Sequence, residues 1–211
     1  MEKIELIGVN KSFKEEKVLK DICLTLTDNK IYGFVGRNGS GKSVLFKIIC
    51  GYVIADSGKI MIDGKELGKD MDFPEGLGAL IETPGFIWYQ SGFENLRYLA
   101  RIRNKINDAQ VKDAIRQVGL NPDSKKWVGK YSMGMKQRLG IAQAIMENPD
   151  ILVLDEPMNA LDEEGVEEIR QLLLIYRQLG RCILITSHNR EDIEILCDCP
   201  VPMAWIFRIF D

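Results

Sequence analysis

Eight consecutive residues constrain this chain more than any others: Gly36-Arg37-Asn38-Gly39-Ser40-Gly41-Lys42-Ser43. They follow a compact apolar run at residues 31–35 and precede an apolar-rich segment at 44–50. The first stretch predicts a buried strand and the second a helix. A G-x-x-x-x-G-K-[ST] turn between strand and helix lets successive backbone N–H groups face inward. The helix N-terminus adds partial positive charge to the same spot. That cradle suits phosphate oxygens, with Lys42 reaching the terminal phosphates and the Ser43 hydroxyl available to Mg2+.

A second motif completes the first. Ile151-Leu152-Val153-Leu154 is an apolar strand that ends in two carboxylates, Asp155 and Glu156. Asp155 is placed to hold Mg2+, directly or through water, and Glu156 to polarise an attacking water. A capped strand end with two solvated acids reads the same way locally, but the phosphate loop upstream decides between them. Together the motifs predict binding and hydrolysis of a nucleoside triphosphate, with ATP and Mg2+ as cofactors.

The 211 residues are 45% hydrophobic and 28% charged, which excludes wholesale disorder and a fibrous repeat. Lys plus Arg number 28 against 31 Asp plus Glu, so the net charge of −3 argues against a general nucleic-acid surface and leaves room only for a local basic patch. The longest apolar runs are of strand length, and the opening MEKIEL lacks a signal core, so the expected compartment is the cytosol. Five cysteines, an odd count, are expected to stay reduced. Cys197-x-Cys199 has no second Cys pair or His cluster beside it, and one intervening residue is tight for tetrahedral zinc.

Punctuation divides the chain. Residues 4–9 and 22–26, separated by polar turns, read as antiparallel strands, and Ser57-Gly58 and Asp63-Gly64 flank a further hairpin strand. From about Ser91 helical spacing takes over: Phe93, Leu96, Leu99 and Ile102 form one stripe, and Val111, Ile115 and Val118 a second. Asn107 caps that second helix and Gly119 stops it, and a third helix starts at Ser132 with Leu139, Ala142 and Ile145 on one side. After Pro149 strand and helix alternate again. Asp162 caps a helix carrying Val166, Ile169, Leu173 and Tyr176, Gly180 ends it, and Cys182–Thr186 is the next parallel strand. The expected fold is one α/β unit over 1–211. Residues 1–89 and 148–198 form a core that includes a small antiparallel β portion, 90–147 a helical insertion, and 199–211 an atypical tail.

Further motifs fit one family. Lys42 and Asp155 lie 113 residues apart, with the helical block between. Tyr131-Ser132-Met133-Gly134-Met135-Lys136-Gln137-Arg138 is similar to a signature usually written LSGGQxQR, and Asn159-Ala160-Leu161-Asp162 to a D-loop. His188, the sole histidine, follows the last apolar strand, and Phe13 stands where an aromatic ring stacks on adenine. Over roughly residues 1–198 the sequence resembles the nucleotide-binding domains of ABC-type ATPases, P-loop NTPases with a mixed sheet core, an antiparallel β subdomain and an inserted helical subdomain. The resemblance implies that two ATPase subunits sandwich two MgATP between the phosphate loop of one and Ser132 and Gly134 of the other. It also implies a base at Glu156, a γ-phosphate sensor at His188, and Ala160, Leu161 and Asp162 crossing the dimer interface. The partners implied are polytopic membrane permease subunits, with the ATPase on the cytoplasmic face of the membrane, and no nucleic acid.

Departures refine the resemblance. Met133 and Met135 replace a Gly and the Gln of the signature, and Val44 replaces a hydroxyl residue beside the α-phosphate, a loss of about 0.5–1.5 kcal/mol. Glu82 stands at the Q-loop position, where its carboxylate could ligand Mg2+. Ile81-Glu82-Thr83-Pro84-Gly85-Phe86 with Glu94-Asn95-Leu96 is similar to the ATPases of bacitracin and lantibiotic resistance exporters. A soluble ABC ATPase acting on ribosomes or DNA is the alternative, but such proteins usually join two ATPase domains or carry coiled-coil or basic insertions. An ATP-binding protein that never turns over is a third reading, opposed by Glu156. In the tail, Pro200 and Pro202 oppose an interior strand, which leaves either a short variant terminus packed on the sheet or a chain truncated or altered by frameshift.

Overall fold

Strands β1 (Glu2–Phe13) and β2 (Glu16–Thr27) form a long hairpin, with Leu6 facing Leu24 across it. β4 (Ser57–Ile62) pairs antiparallel with the other edge of β1, and β5 (Lys65–Glu66) follows through Asp63-Gly64. Both turn residues have positive φ, 48° and 76°, the geometry that matches the strand twist in a two-residue hairpin. The computed structural model describes residues 2–82 and 84–203.

The second sheet is wholly parallel. β3 (Lys30–Val35), β6 (Leu77–Leu80), β7 (Ile151–Leu154), β8 (Cys182–Thr186) and β9 (Cys199–Pro202) lie in the order β6-β7-β8-β3-β9. Every residue of β7 and β8 is buried, as expected for strands covered on both faces. Ile151 and Val153 face one core with Phe34 and Phe46, and Leu152 and Leu154 face another with Leu139 and Leu173. The antiparallel sheet and α1 (Lys42–Ile49) supply the first core. The second is built from the helical insertion and α5 (Glu163–Gln178).

The insertion contains α2 (Gly92–Arg103), α3 (Asp108–Gln117), a short 3₁₀ turn (Val128–Lys130) and α4 (Met133–Ile145). Ser91 with Glu94, and Asn107 with Gln110, form capping boxes that fix the starts of α2 and α3. Leu96 is buried as its spacing predicts, but Ile102 is 70% exposed: the apolar stripe of α2 ends one turn early. Helix α6 (Arg190–Leu196) leads to the sheet edge.

Residues 199–202, set apart from the core in the sequence reading, join the sheet. β9 runs parallel to β3 along one side only, so its prolines occupy an edge strand, the place in a sheet that tolerates them. Met203 just beyond is fully buried, and a Cβ on Gly36 would lie 3.1 Å from its side chain. Thr83, Trp205 and Phe207 lie outside the described residues. The Cys197 thiol is packed over Gly33, and burial pushes it up to about 12, which makes it an inert structural group. Met203→Ala is expected to cost about 2–5 kcal/mol of unfolding free energy, measured by urea titration. A change below 0.5 kcal/mol, roughly the surface range, would show that the strand end is not part of the core.

Candidate functional site

The phosphate loop links β3 to α1 in the way its residues require. Gly41, the N-cap of α1, has φ 88°, a left-handed conformation that a side chain resists. Helix α1 has no side-chain cap and no acid in its first turn, so its N-terminal amides and partial positive charge remain for an anion. Among the described residues, Ser40 Oγ is buried without a hydrogen-bond partner. That orphaned hydroxyl belongs to the loop itself and lies against Gly36, where a Cβ would come within 2.5 Å of it, and an unpartnered buried hydroxyl there fits a loop built to receive a polar ligand. Lys42 is nearly buried, and its Nζ donates to the carbonyls of Gly36 at 2.7 Å and Arg37 at 3.3 Å, bridging the loop from within.

The two carboxylates arrive at the end of β7. Ser43 Oγ donates to Asp155 Oδ2 at 2.6 Å, and Thr186 Oγ1 donates to Asp155 Oδ1 at 2.6 Å. Thr186 also accepts from the Glu156 amide at 2.8 Å. A hydroxyl and a carboxylate in this arrangement are a hard-oxygen pair suited to Mg2+. Glu156 sits at φ 51°, a sparsely populated conformation that aims its carboxyl toward the loop after β8. Its Oε1 lies 3.1 Å from His188 Nε2, and its Oε2 accepts from the His188 amide at 3.2 Å. Burial pushes the Glu156 carboxyl above its ordinary range, with His188 opposing that shift. A raised carboxyl near a histidine is what a proton acceptor needs. A cavity of about 460 Å³ opens over the loop, lined by residues 38–44 with Glu16, Val18, Asp155, Glu156 and His188.

The other sequence candidates are distributed around this centre. Val44 is half-buried against the core. Phe13 stands at the β1–β2 hairpin tip, 47% exposed, with Lys11 Nζ 5.4 Å from its ring centroid. Glu82 is not joined to the Ser43–Asp155 pair: its carboxylate meets Lys47 on α1 at 2.5 Å and is largely exposed, although it shares a cavity wall with Asp155 and Glu156. Ser132 caps α4, its Oγ accepting from the Met135 amide at 3.1 Å. Gly134 abuts the residue 160 backbone, where a Cβ would lie 2.7 Å from the Ala160 carbonyl oxygen. Ala160 has φ 64°, the Leu161 amide donates to the Met158 carbonyl, and Asp162 caps α5 through the Gly165 amide at 3.0 Å.

Three contributors escaped sequence reasoning. Thr186 reads as the last residue of an apolar strand, and its polarity at that end is the only signal of its role. Gln137 Nε2 donates to the carbonyls of Glu156 at 2.9 Å and Pro157 at 3.2 Å, which ties α4 to the end of β7. Arg170 and Asp192 form a buried ion pair at 2.7 Å, and Asp192 Oδ2 accepts from Ser187 Oγ at 2.7 Å. Ser187 Oγ in turn accepts from the Asn189 amide at 3.0 Å, so the pair holds the turn that carries His188. Glu167 and Glu191 remain within 3.9 and 3.7 Å of Arg170. Asp192→Ala is expected to cost about 3 kcal/mol in a denaturant titration, the low end for stranding a buried charge, because those two acids persist. A change under 0.5 kcal/mol would show that the pair does not hold this turn.

Comparison with known proteins agrees with this geometry. Residues 19–159 match the family model described as ABC transporter. The chain is 43% identical over 200 residues to YybJ, an uncharacterised ABC transporter ATP-binding protein of Bacillus subtilis (strain 168), covering 95% of this chain and 92% of that protein. It is 39% identical to the bacitracin transport ATP-binding protein BcrA of Enterococcus faecalis, over 92% of this chain but only 64% of the relative's length. The lantibiotic transport ATP-binding protein SrtF of Streptococcus pyogenes is 32% identical, with 92% and 84% covered. The fold matches a solved ATP-binding subunit of an ABC transporter, with TM-score 0.84 and 24% identity over 95% of this chain and 85% of that one. A dimeric bacterial ABC transporter cassette matches equally well, with TM-score 0.84 and 21% identity over 94% and 93%. No helix among the described residues is long and apolar enough to cross a membrane. With its phosphate loop, paired carboxylates and helical insertion in place, the chain belongs to the ABC transporter family as an ATP-binding subunit, one of the ATPases whose hydrolysis is coupled to transport.

Proposed function

We propose that this chain is the ATP-hydrolysing motor of a bacterial exporter of the antimicrobial-peptide or antibiotic resistance type, working through a polytopic membrane permease. The observation that carries the chemical half is the convergence of Ser43, Asp155, Glu156 and His188 beside one phosphate loop. Support for the exporter half comes from the relatives named for bacitracin and lantibiotic transport. BcrA extends well beyond the span matched here, so its whole activity is not carried over.

In this reading Ser43 and Asp155 hold Mg2+, which neutralises triphosphate charge when bound. Lys42 binds the terminal phosphates and orients them. Glu156 accepts a proton from the attacking water as its oxygen bonds to phosphorus, and the leaving diphosphate carries away the bonding pair. His188 orients that carboxylate through the 3.1 Å contact. Ser132, exposed at the head of α4, and the half-buried Gly134 beside it close the site of a second ATPase subunit, so an isolated chain is nearly inert. Glu82, seated on Lys47, belongs in this scheme to the transmission of movement toward the permease rather than to the cation site.

Lys42→Ala is expected to lose most ATP affinity in an equilibrium titration with MgATP; equal curves for variant and parent would remove the phosphate-loop assignment. Glu156→Gln keeps shape and hydrogen bonding but loses the basic carboxylate. Turnover should fall by at least about 10²-fold, and ATP-bound dimers should accumulate on size exclusion. If Glu82→Gln stops basal hydrolysis as completely, the base is misassigned.

A further inference from the structure

One face of α4 runs along the stretch that follows β7. Gly134, Gln137 and Arg138 stand at i, i+3 and i+4, the spacing that puts side chains together on one side of a helix. Gly134 lies against the Ala160 carbonyl, and Gln137 bonds the carbonyls of Glu156 and Pro157. Arg138 completes the row. Its Nη1 donates to the Val118 carbonyl at 2.8 Å and to Glu168 Oε2, and its Nη2 lies 3.9 Å from Asp162 Oδ1. One guanidinium thus joins α4 to the C-cap of α3 and to both the N-cap and the second turn of α5.

The chain leaves room for this group. The Arg138 side chain is only 15% exposed and sits over two glycines. A Cβ on Gly165 would lie 2.6 Å from Nη2, and one on Gly119 would overlap Nη1, so a side chain at either position would push the guanidinium from its place. The Val118 carbonyl at the end of α3 is an acceptor that a helix terminus leaves unpaired. A planar fork can serve several such acceptors at once, where a lysine offers a single point charge. The row has a bearing on chemistry because Glu156 sits at φ 51°, a conformation that persists only when its surroundings hold it. The Gln137 bonds are part of that hold, and they need α4 at a fixed distance. Gly134 sets that distance on one side of Gln137, and Arg138 on the other.

We propose that Arg138 is a positioning residue for ATP hydrolysis: by anchoring α4 to α3 and α5 it keeps Gln137 on the strained Glu156 turn, and so sets where the Glu156 carboxyl points. This role rests on the motor reading and adds to it a residue that lies outside the nucleotide cavity. It is tested on the full chain, at concentrations where ATP-dependent dimers form, with Arg138→Gln, Arg138→Lys, Glu168→Gln and the double variant Arg138→Gln/Glu168→Gln. MgATP-binding sites are counted by equilibrium titration on the same samples, so that kcat is expressed per working site and a loss of folded protein does not enter it. Arg138→Gln should lower kcat by about 10- to 100-fold, the scale of a small misplacement of catalytic groups, and leave KM within about twofold. Arg138→Lys should fall between that variant and the parent. Glu168 is 47% exposed, so Glu168→Gln probes the anchor without disturbing a buried group; its loss should be smaller, because the Val118 bond remains. The double variant should be no slower than Arg138→Gln alone, as expected of two groups that act as a unit. Parental kcat per site in both Arg138→Gln and Glu168→Gln would overturn the proposal, and so would a loss that lies wholly in KM or in the number of sites. Losses that multiply in the double variant would also overturn it, since the two residues would then act separately. A parent that binds MgATP without turnover would defeat the motor reading and this role with it, whereas an active parent beside equally active variants defeats the role of Arg138 alone.

Discussion

Asp155 receives two hydrogen bonds of 2.6 Å, one on each oxygen, from Ser43 and Thr186. Those bonds join the start of α1, the end of β7 and the end of β8, three elements drawn from separate parts of the chain. A carboxylate bonded on both oxygens by hydroxyl groups is fixed in rotamer, and charge-assisted bonds of this kind are about twice as strong as neutral ones. The phosphate loop and the strained turn at Glu156 meet at this junction, and Thr186 ends the strand that leads to His188. The junction also leaves Glu156, one residue on, to point elsewhere, which explains how two adjacent acids can serve different ends.

Much of this was legible in the sequence because the relevant signals are local. The glycine spacing of residues 36–41, the apolar run into Asp155 and the caps at Asn107, Ser132 and Asp162 each act within a few residues, and each emerged in place. What could not be read were contacts made across the chain. Thr186 lies 31 residues from Asp155, and Arg170 lies 22 from Asp192, with nothing in either spacing to announce a partner. Motif position places Glu82 beside the cation site, and the contact its carboxylate makes with Lys47 on α1 is one that no local pattern announces. For the tail, the prolines spoke only against an interior strand, and the long-range register that puts them on an edge beside β3 favours the terminus packed on the sheet.

The helical insertion is not merely attached to the core. Gln137 bonds the carbonyls of Glu156 and Pro157, and Gly134 leaves no space between α4 and the Ala160 carbonyl. Residues 156 and 160 both hold positive φ without being glycine, a conformation that costs on the order of 1–3 kcal/mol each. The Gln137 bonds tie α4 to the backbone that carries the strained carboxylate, beside the packing of Leu139 with Leu152 and Leu154 in one core.

The place of β3 in its sheet has a consequence for synthesis. This strand leads directly into the phosphate loop, yet its neighbours on either side are β8 and β9, with Lys30 registered against Cys182 and Val35 against Pro202. The floor beneath Gly36 is Met203. On the ribosome, the loop-bearing strand thus waits for about 150 further residues, on the order of 10 s at typical elongation rates, before either flank exists. During that interval the apolar strand has two open edges, each a template for pairing with another chain. The nucleotide cradle, encoded near the beginning, can only be finished by residues made near the end.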